Sequence, residues 1–140
     1  MVGVDGSNAS KEALRWAADE ARRTGAGLEV VMAWENPYPH MWIPSDPPGT
    51  DRLNLTRKAV ERIATAELGE HPDLQVQTCG LEGPAAKVLV EAAAGADLLV
   101  VGSRGHGGFA GVLLGSVGLH CVSHAPCPVV VVRPKASPNR

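Results

Sequence analysis

The chain has 140 residues, enough for one domain with a real core, and its 44% hydrophobic, 20% charged composition is that of an ordinary globular protein. A formal net charge of −2 argues against broad electrostatic binding to nucleic acid or anionic membrane. Three cysteines make no disulfide framework, no apolar run approaches the ~18 residues of a membrane span, and nothing at the start reads as a leader. A cytoplasmic protein is therefore the expectation.

In chain order, residues 2–4 form a short apolar run before Asp5-Gly6-Ser7-Asn8. Ser7 or Asn8 is placed to cap a helix whose stripe is Ala13, Leu14, Ala17, Ala18 and Ala21, with Gly25 as its stop. LEVVMAW at 28–34 reads as a buried strand. Residues 35–50 carry five prolines and read as a lid, a binding loop or an excursion, with Trp34, Tyr38 and Trp42 as aromatics available either to stack on a base or to pack the loop. A helix over 51–68 follows, with Leu55, Ala59, Ile63 and Ala66 as its apolar face and Gly69 as its stop. LQVQTC at 74–79 alternates as a strand does. Gly83-Pro84 opens a third helix running to Ala94, and 97–101 (DLLVV) is a strand. A fourth helix is predicted over 115–123, stopped by Pro126 and Pro128, and Val129 to Val132 is the last strand. Trp16 is read as a core or interface residue.

Strand and helix alternate throughout, which implies an α/β protein whose parallel sheet is covered on both faces. Right-handed crossovers bring the strand C-termini to one rim, where open sheets bind ligands. Asp5, Trp34 and Gly102 all end strands and are predicted near it.

The stretch GSRGHGGFAGVLLGS at 102–116 has six glycines in fifteen positions. It lies in an electropositive tail: all fifteen acids precede Leu98, so residues 1–97 sum to −6 and the remainder to +4. Bare backbone admits an anion to N–H groups, and a helix N-terminus at Gly115-Ser116 adds unpaired N–H groups and a favourable dipole end. A Walker A loop is excluded, since no lysine lies between Lys87 and Lys135. Gly105-x-Gly107-x-x-Ala110 imitates a dinucleotide fingerprint, but no acid follows to hold a ribose. Arg104 and His106 can help neutralise phosphate or can be solvated surface groups. His120-Cys121-x2-His124-x2-Cys127 has zinc-ligand residue types, yet core packing of the thiols accounts for them better.

The spacing Gly102-x2-Gly105-x9-Gly115-Ser116, together with Gly-Val-Asp-Gly-Ser at 3–7 and HAPCPVVVV at 124–132, resembles the universal stress protein family, in particular its ATP-binding members. The resemblance covers nearly the whole chain apart from 35–50 and implies a single domain. It implies a five-stranded parallel open sheet, strand order 3-2-1-4-5, helices on both faces, and a bound adenine nucleotide. Carried over, Asp5 faces ribose and the phosphate–metal region, holding Mg²⁺ or Mn²⁺ directly or indirectly with the phosphates. Ala33 and Val101 flank adenine, Gly102 and Gly105 approach ribose and phosphates, and Gly115, Ser116 and Val117 hold the phosphates. Family members often pair as homodimers through the last strand, here Val129 to Val132. Only Met1 and Val2 precede Gly3, so the first strand is expected to be short. The expected function is ATP binding in stress response or signalling, read out through dimer contacts or an unidentified partner. A weak ATP hydrolase and a dimerisation module with an empty pocket are the alternatives. No catalytic residue is assigned: Asp5 is the one carboxylate expected near the phosphates.

Overall fold

The structure is a computed structural model and describes residues 1–35, 51–105 and 113–135. Its elements are β1 Val2–Gly3, α1 Asn8–Thr24, β2 Leu28–Trp34, α2 Arg52–Leu68, β3 Val76–Glu82, α3 Ala85–Ala92, β4 Leu99–Gly102, α4 Ser116–His124 and β5 Val129–Val132. The strands form one sheet in the order β3-β2-β1-β4-β5, every pairing parallel. Period-two alternation divides each central strand between two cores. Val30 and Val100 face a layer that includes Ala13, Leu14 and Ala17 of α1 and Val60 of α2. Val31, Leu99 and Val101 face one containing Leu89 of α3 and Cys121 of α4. The expected fold, with its strand order, is the fold observed.

The first helix follows its sequence signals. Ser7 caps it by accepting from Ser10 N–H, and Gly25 ends it at φ 74°, a conformation that costs an L-residue with a Cβ. All five stripe residues are buried. Because they are alanines and one leucine, the helix sits close to the sheet: a Cβ on Gly102 would lie 2.7 Å from the backbone carbon of Ala9. Trp16 is not a core residue; it is 37% exposed on α1.

Three expectations need correction. The buried face of α2 is Thr56, Val60 and Ala64, and Leu55 is 54% exposed. The cause is a close approach to β3, where a Cβ on Gly80 would be 3.2 Å from both Thr56 Cγ2 and Arg57 N. A small side chain fits there and a leucine does not. β3 runs from Val76 to Glu82 rather than over 74–79; Leu74 lies in a turn, its N–H donating to His71 O at 3.1 Å, and the strand continues because all seven residues of β2 have a partner in it. α3 ends at Ala92, two residues early, where the chain turns toward Gly95 at φ 83°. β1 is short as expected, and a cavity of about 620 Å³ opens beneath it at the N-terminal ends of β2 and β4.

Candidate functional site

At the C-terminal ends of β1, β2 and β4 lies a cleft of about 380 Å³. Its lining includes all eight residues singled out in the sequence: Asp5, Ala33, Val101, Gly102, Gly105, Gly115, Ser116 and Val117. They come from four separate parts of the chain. Parallel strands bring the first four to one rim, and the crossover from β4 to β5 swings α4 over it. Leu89 of α3 closes the floor, so tightly that a Cβ on Gly3 would stand 2.7 Å from Leu89 Cδ1.

Asp5 is held in a defined orientation. Its Oδ1 accepts from Ser7 N–H at 2.9 Å and from the Ser7 hydroxyl, while its own N–H donates to Ser10 Oγ at 3.2 Å. A Cβ on Gly105 would overlap Asp5 Oδ2, so the first strand and the glycine-rich segment meet at this carboxylate. Gly102 has a different neighbour: the missing Cβ makes room for the first turn of α1.

The helix that ends the glycine stretch begins without a side-chain cap. Gly115 occupies the cap position at φ −73°, ψ 170°, and no acidic residue stands in the first turn. Leu119 N–H donates to Gly115 O at 3.0 Å, which leaves the N–H groups of Ser116 and Val117 without an acceptor inside the helix. Gly115 N–H itself is taken up, donating to Ser103 O at 2.7 Å. Gly115 therefore offers space, and the donors are its two successors. Ser103, which the sequence reading passed over, is the hub: its N–H donates to Val132 O at 2.8 Å, tying β4 to the end of β5 as well as to α4. Ser103 sits inside Gly102-x2-Gly105, a spacing that marks backbone approaches and does not single out the residue between the glycines.

Among the described residues the charged side chains lining the cleft are Asp5 and Arg104. His106, Tyr38, Trp42 and most of the loop at 35–50 lie outside the described residues. The larger cavity beneath β1 is lined by three acids, Glu20, Glu29 and Asp97, against the single amino group of Met1. Its sign disfavours an anion, and it brings together none of the eight residues.

The His-Cys segment is explained by packing. His120 and His124 lie on one face of α4 with ring centroids 4.5 Å apart and the rings tilted by 44°, while Cys121 belongs to the core and is fully buried. Among the described residues no three potential ligands come together as a metal site. Burial pushes the Cys121 and Cys79 thiols above their ordinary range.

Comparison with known proteins gives three findings. Residues 1–133 match the model of the universal stress protein family. A universal stress protein of Mycobacterium tuberculosis is 38% identical over 133 residues, which are 95% of this chain and 44% of that relative; the chain spans less than half the length of such curated relatives. Among solved structures, a universal stress protein in complex with cAMP is 27% identical with a TM-score of 0.65, covering 96% of this chain and 94% of that one. A universal stress protein from Archaeoglobus fulgidus in complex with dAMP shares the fold at 23% identity and a TM-score of 0.60, covering 94% of each chain.

Proposed function

The chain belongs to the universal stress protein family, and from that premise we propose that it binds an adenine nucleotide, ATP in the first instance, in the cleft at the strand C-termini. The observation that carries this reading is the convergence of Asp5, two glycine approaches and the uncapped start of α4 on one 380 Å³ space. Such a space suits a ligand with an apolar ring at one end and anionic oxygens at the other. A structural relative in complex with cAMP supports the ligand class.

In this reading Ala33 and Val101 lie against the adenine. The N–H groups of Ser116 and Val117, with the Ser116 hydroxyl, hold phosphate oxygens. Arg104 contributes positive charge. Mg²⁺ or Mn²⁺ would be held between Asp5 and the phosphates, since a lone carboxylate beside phosphate needs a cation to offset their repulsion. When bound, the metal supplies charge neutralisation. Ser7 fixes the Asp5 carboxylate so that it need not be ordered on binding.

Nucleotide occupancy is read out through contacts with a second copy or another protein. The β5 edge is the surface for the second copy. Leu99 N–H donates to Pro128 O and Ser103 N–H to Val132 O, so even-numbered positions face β4 and the N–H groups of Val129 and Val131 face outward. Such an edge is a template for pairing. The output is stress response or signalling in the cytoplasm; all three cysteines are free, in keeping with a reducing compartment.

The test is thermal unfolding with and without MgATP. At a hundredfold excess over Kd, linkage stabilises the fold by about 2.7 kcal/mol. Gly115→Val combined with Ser116→Ala removes the shift in melting temperature. An unchanged shift in that variant moves the site elsewhere. Purified protein that carries no adenine nucleotide and takes up none leaves the empty-pocket module in its place.

A further inference from the structure

We propose that His120 and His124, on the outer face of α4, together chelate a divalent transition-metal ion that favours tetragonal coordination, Cu²⁺ or Ni²⁺, through one ring nitrogen each. The site is separate from the nucleotide cleft, whose lining contains neither residue, and it does not depend on the nucleotide reading.

Packing accounts for the thiols of the His-Cys segment but not for its imidazoles. Cys121 is fully buried in the core that contains Leu89 and Leu99, whereas His120 and His124 are both exposed. Among the described residues neither ring makes a hydrogen bond or an ion pair; each has the other ring as its neighbour. A neutral imidazole keeps one nitrogen lone pair, and nothing in the fold uses it here.

The geometry selects the kind of metal. A spacing of four residues puts both side chains on one helix face. The ring centroids are 4.5 Å apart and the rings are tilted by 44°. A metal bonded to one nitrogen of each ring, at a bond length of about 2.0 Å, stands about 3.2 Å from each ring centre, so the 4.5 Å separation corresponds to an N–metal–N angle of about 90°. That is the angle between neighbouring ligands in tetragonal Cu²⁺ and Ni²⁺ sites, and imidazole suits both ions. Tetrahedral zinc needs a wider angle, and a structural zinc site needs four protein ligands. Among the described residues no third histidine, cysteine or acid joins the pair, so water completes the coordination.

The position on the helix favours a cation. His124 is the last residue of α4, where the final carbonyl groups have no partner inside the helix and form the negative end of its dipole. Because both side chains are exposed, their rings can rotate to present either nitrogen without repacking the core.

The experiment uses the full chain without a histidine tag. Cu²⁺ binding is followed by electron paramagnetic resonance, which counts coordinated ring nitrogens. Ni²⁺, which thiols do not reduce, is titrated in parallel by calorimetry. Wild type is expected to bind one ion per chain at this pair, with two imidazoles on Cu²⁺. His120→Ala and His124→Ala are each expected to weaken both ions at least about tenfold, because the second ligand no longer acts from the same surface. Adding Val122→His to His124→Ala restores the number of histidines at a spacing that does not share a face, and is expected to leave the affinity low. Wild-type affinity in either single variant overturns the proposal, as does full recovery with the relocated histidine, which would make the binding a matter of histidine number alone. Zn²⁺ bound as tightly as Cu²⁺ overturns the tetragonal assignment, and a wild type that takes up neither Cu²⁺ nor Ni²⁺ removes the site.

Discussion

Gly102 and Gly105 stand three residues apart and answer to different neighbours. The first leaves room for the backbone of Ala9 in α1, which cannot move without moving the helix. Gly102→Ala is therefore expected to destabilise the fold by about 1–3 kcal/mol, as overpacking does, measured by urea unfolding. The second leaves room for Asp5 Oδ2, the end of a side chain that can rotate. Gly105→Ala is expected to keep its stability to within about 0.5 kcal/mol, while MgATP affinity falls because the carboxylate is displaced. If Gly105→Ala unfolds the protein and retains nucleotide, the two roles have been assigned the wrong way round. The thiols give a third outcome at this scale. Cys79 and Cys121 have their pKa values raised by burial, so little thiolate is present near neutrality, and alkylation by iodoacetamide should be slow in the folded protein and rapid in denaturant. The rate should climb with pH, since the raised pKa values move thiolate formation upward.

Helix ends and helix faces decide how the elements meet. Ser7 caps α1 and also donates to Asp5, so one side chain serves both the helix and the site. Ser7→Ala should cost about 1 kcal/mol of stability from the lost cap. It should also weaken nucleotide binding in Mg²⁺, because Asp5 loses two of its restraints when the turn loosens. Stability loss with full nucleotide affinity would separate the two duties. The fourth helix shows the opposite arrangement: its cap position is a glycine without a side chain to donate to, and its first-turn amides have no side-chain acceptor at the cap. The second helix shows where periodicity misled. Leu55, Ala59, Ile63 and Ala66 have helical spacing, but so do Thr56, Val60 and Ala64, and the contact at Gly80 chose between two nearly equal stripes.

At the scale of the molecule, Ser103 joins the cleft to the β5 edge, since its N–H is bonded to Val132 O and its carbonyl to Gly115 N–H. Val131→Pro removes an outward N–H without breaking a bond to β4. If copies pair through this edge, the variant should sediment as a monomer while keeping most of its stability; a dimer that survives it uses another surface. Ligand linkage belongs to this scale too, because a cleft assembled from three strands and a helix exists only in the folded state and so raises the melting temperature on occupancy.

Strand–helix alternation fixed the layer class, since buried apolar runs bounded by caps and glycines have few alternatives once each must cover its neighbour. Asp5, the glycine spacing and the Gly-Ser helix start were legible because anion binding needs bare backbone and a helix N-terminus in a set order along the chain. The face of α2, the true span of β3 and the exposure of Trp16 were not legible, because each depends on distances between segments that periodicity does not encode. The same holds for the site. Which amides remain unpaired, and which glycine yields to a helix and which to a carboxylate, are properties of contacts made across the fold. A sequence names the donors and acceptors; only packing in three dimensions decides which of them are already spent.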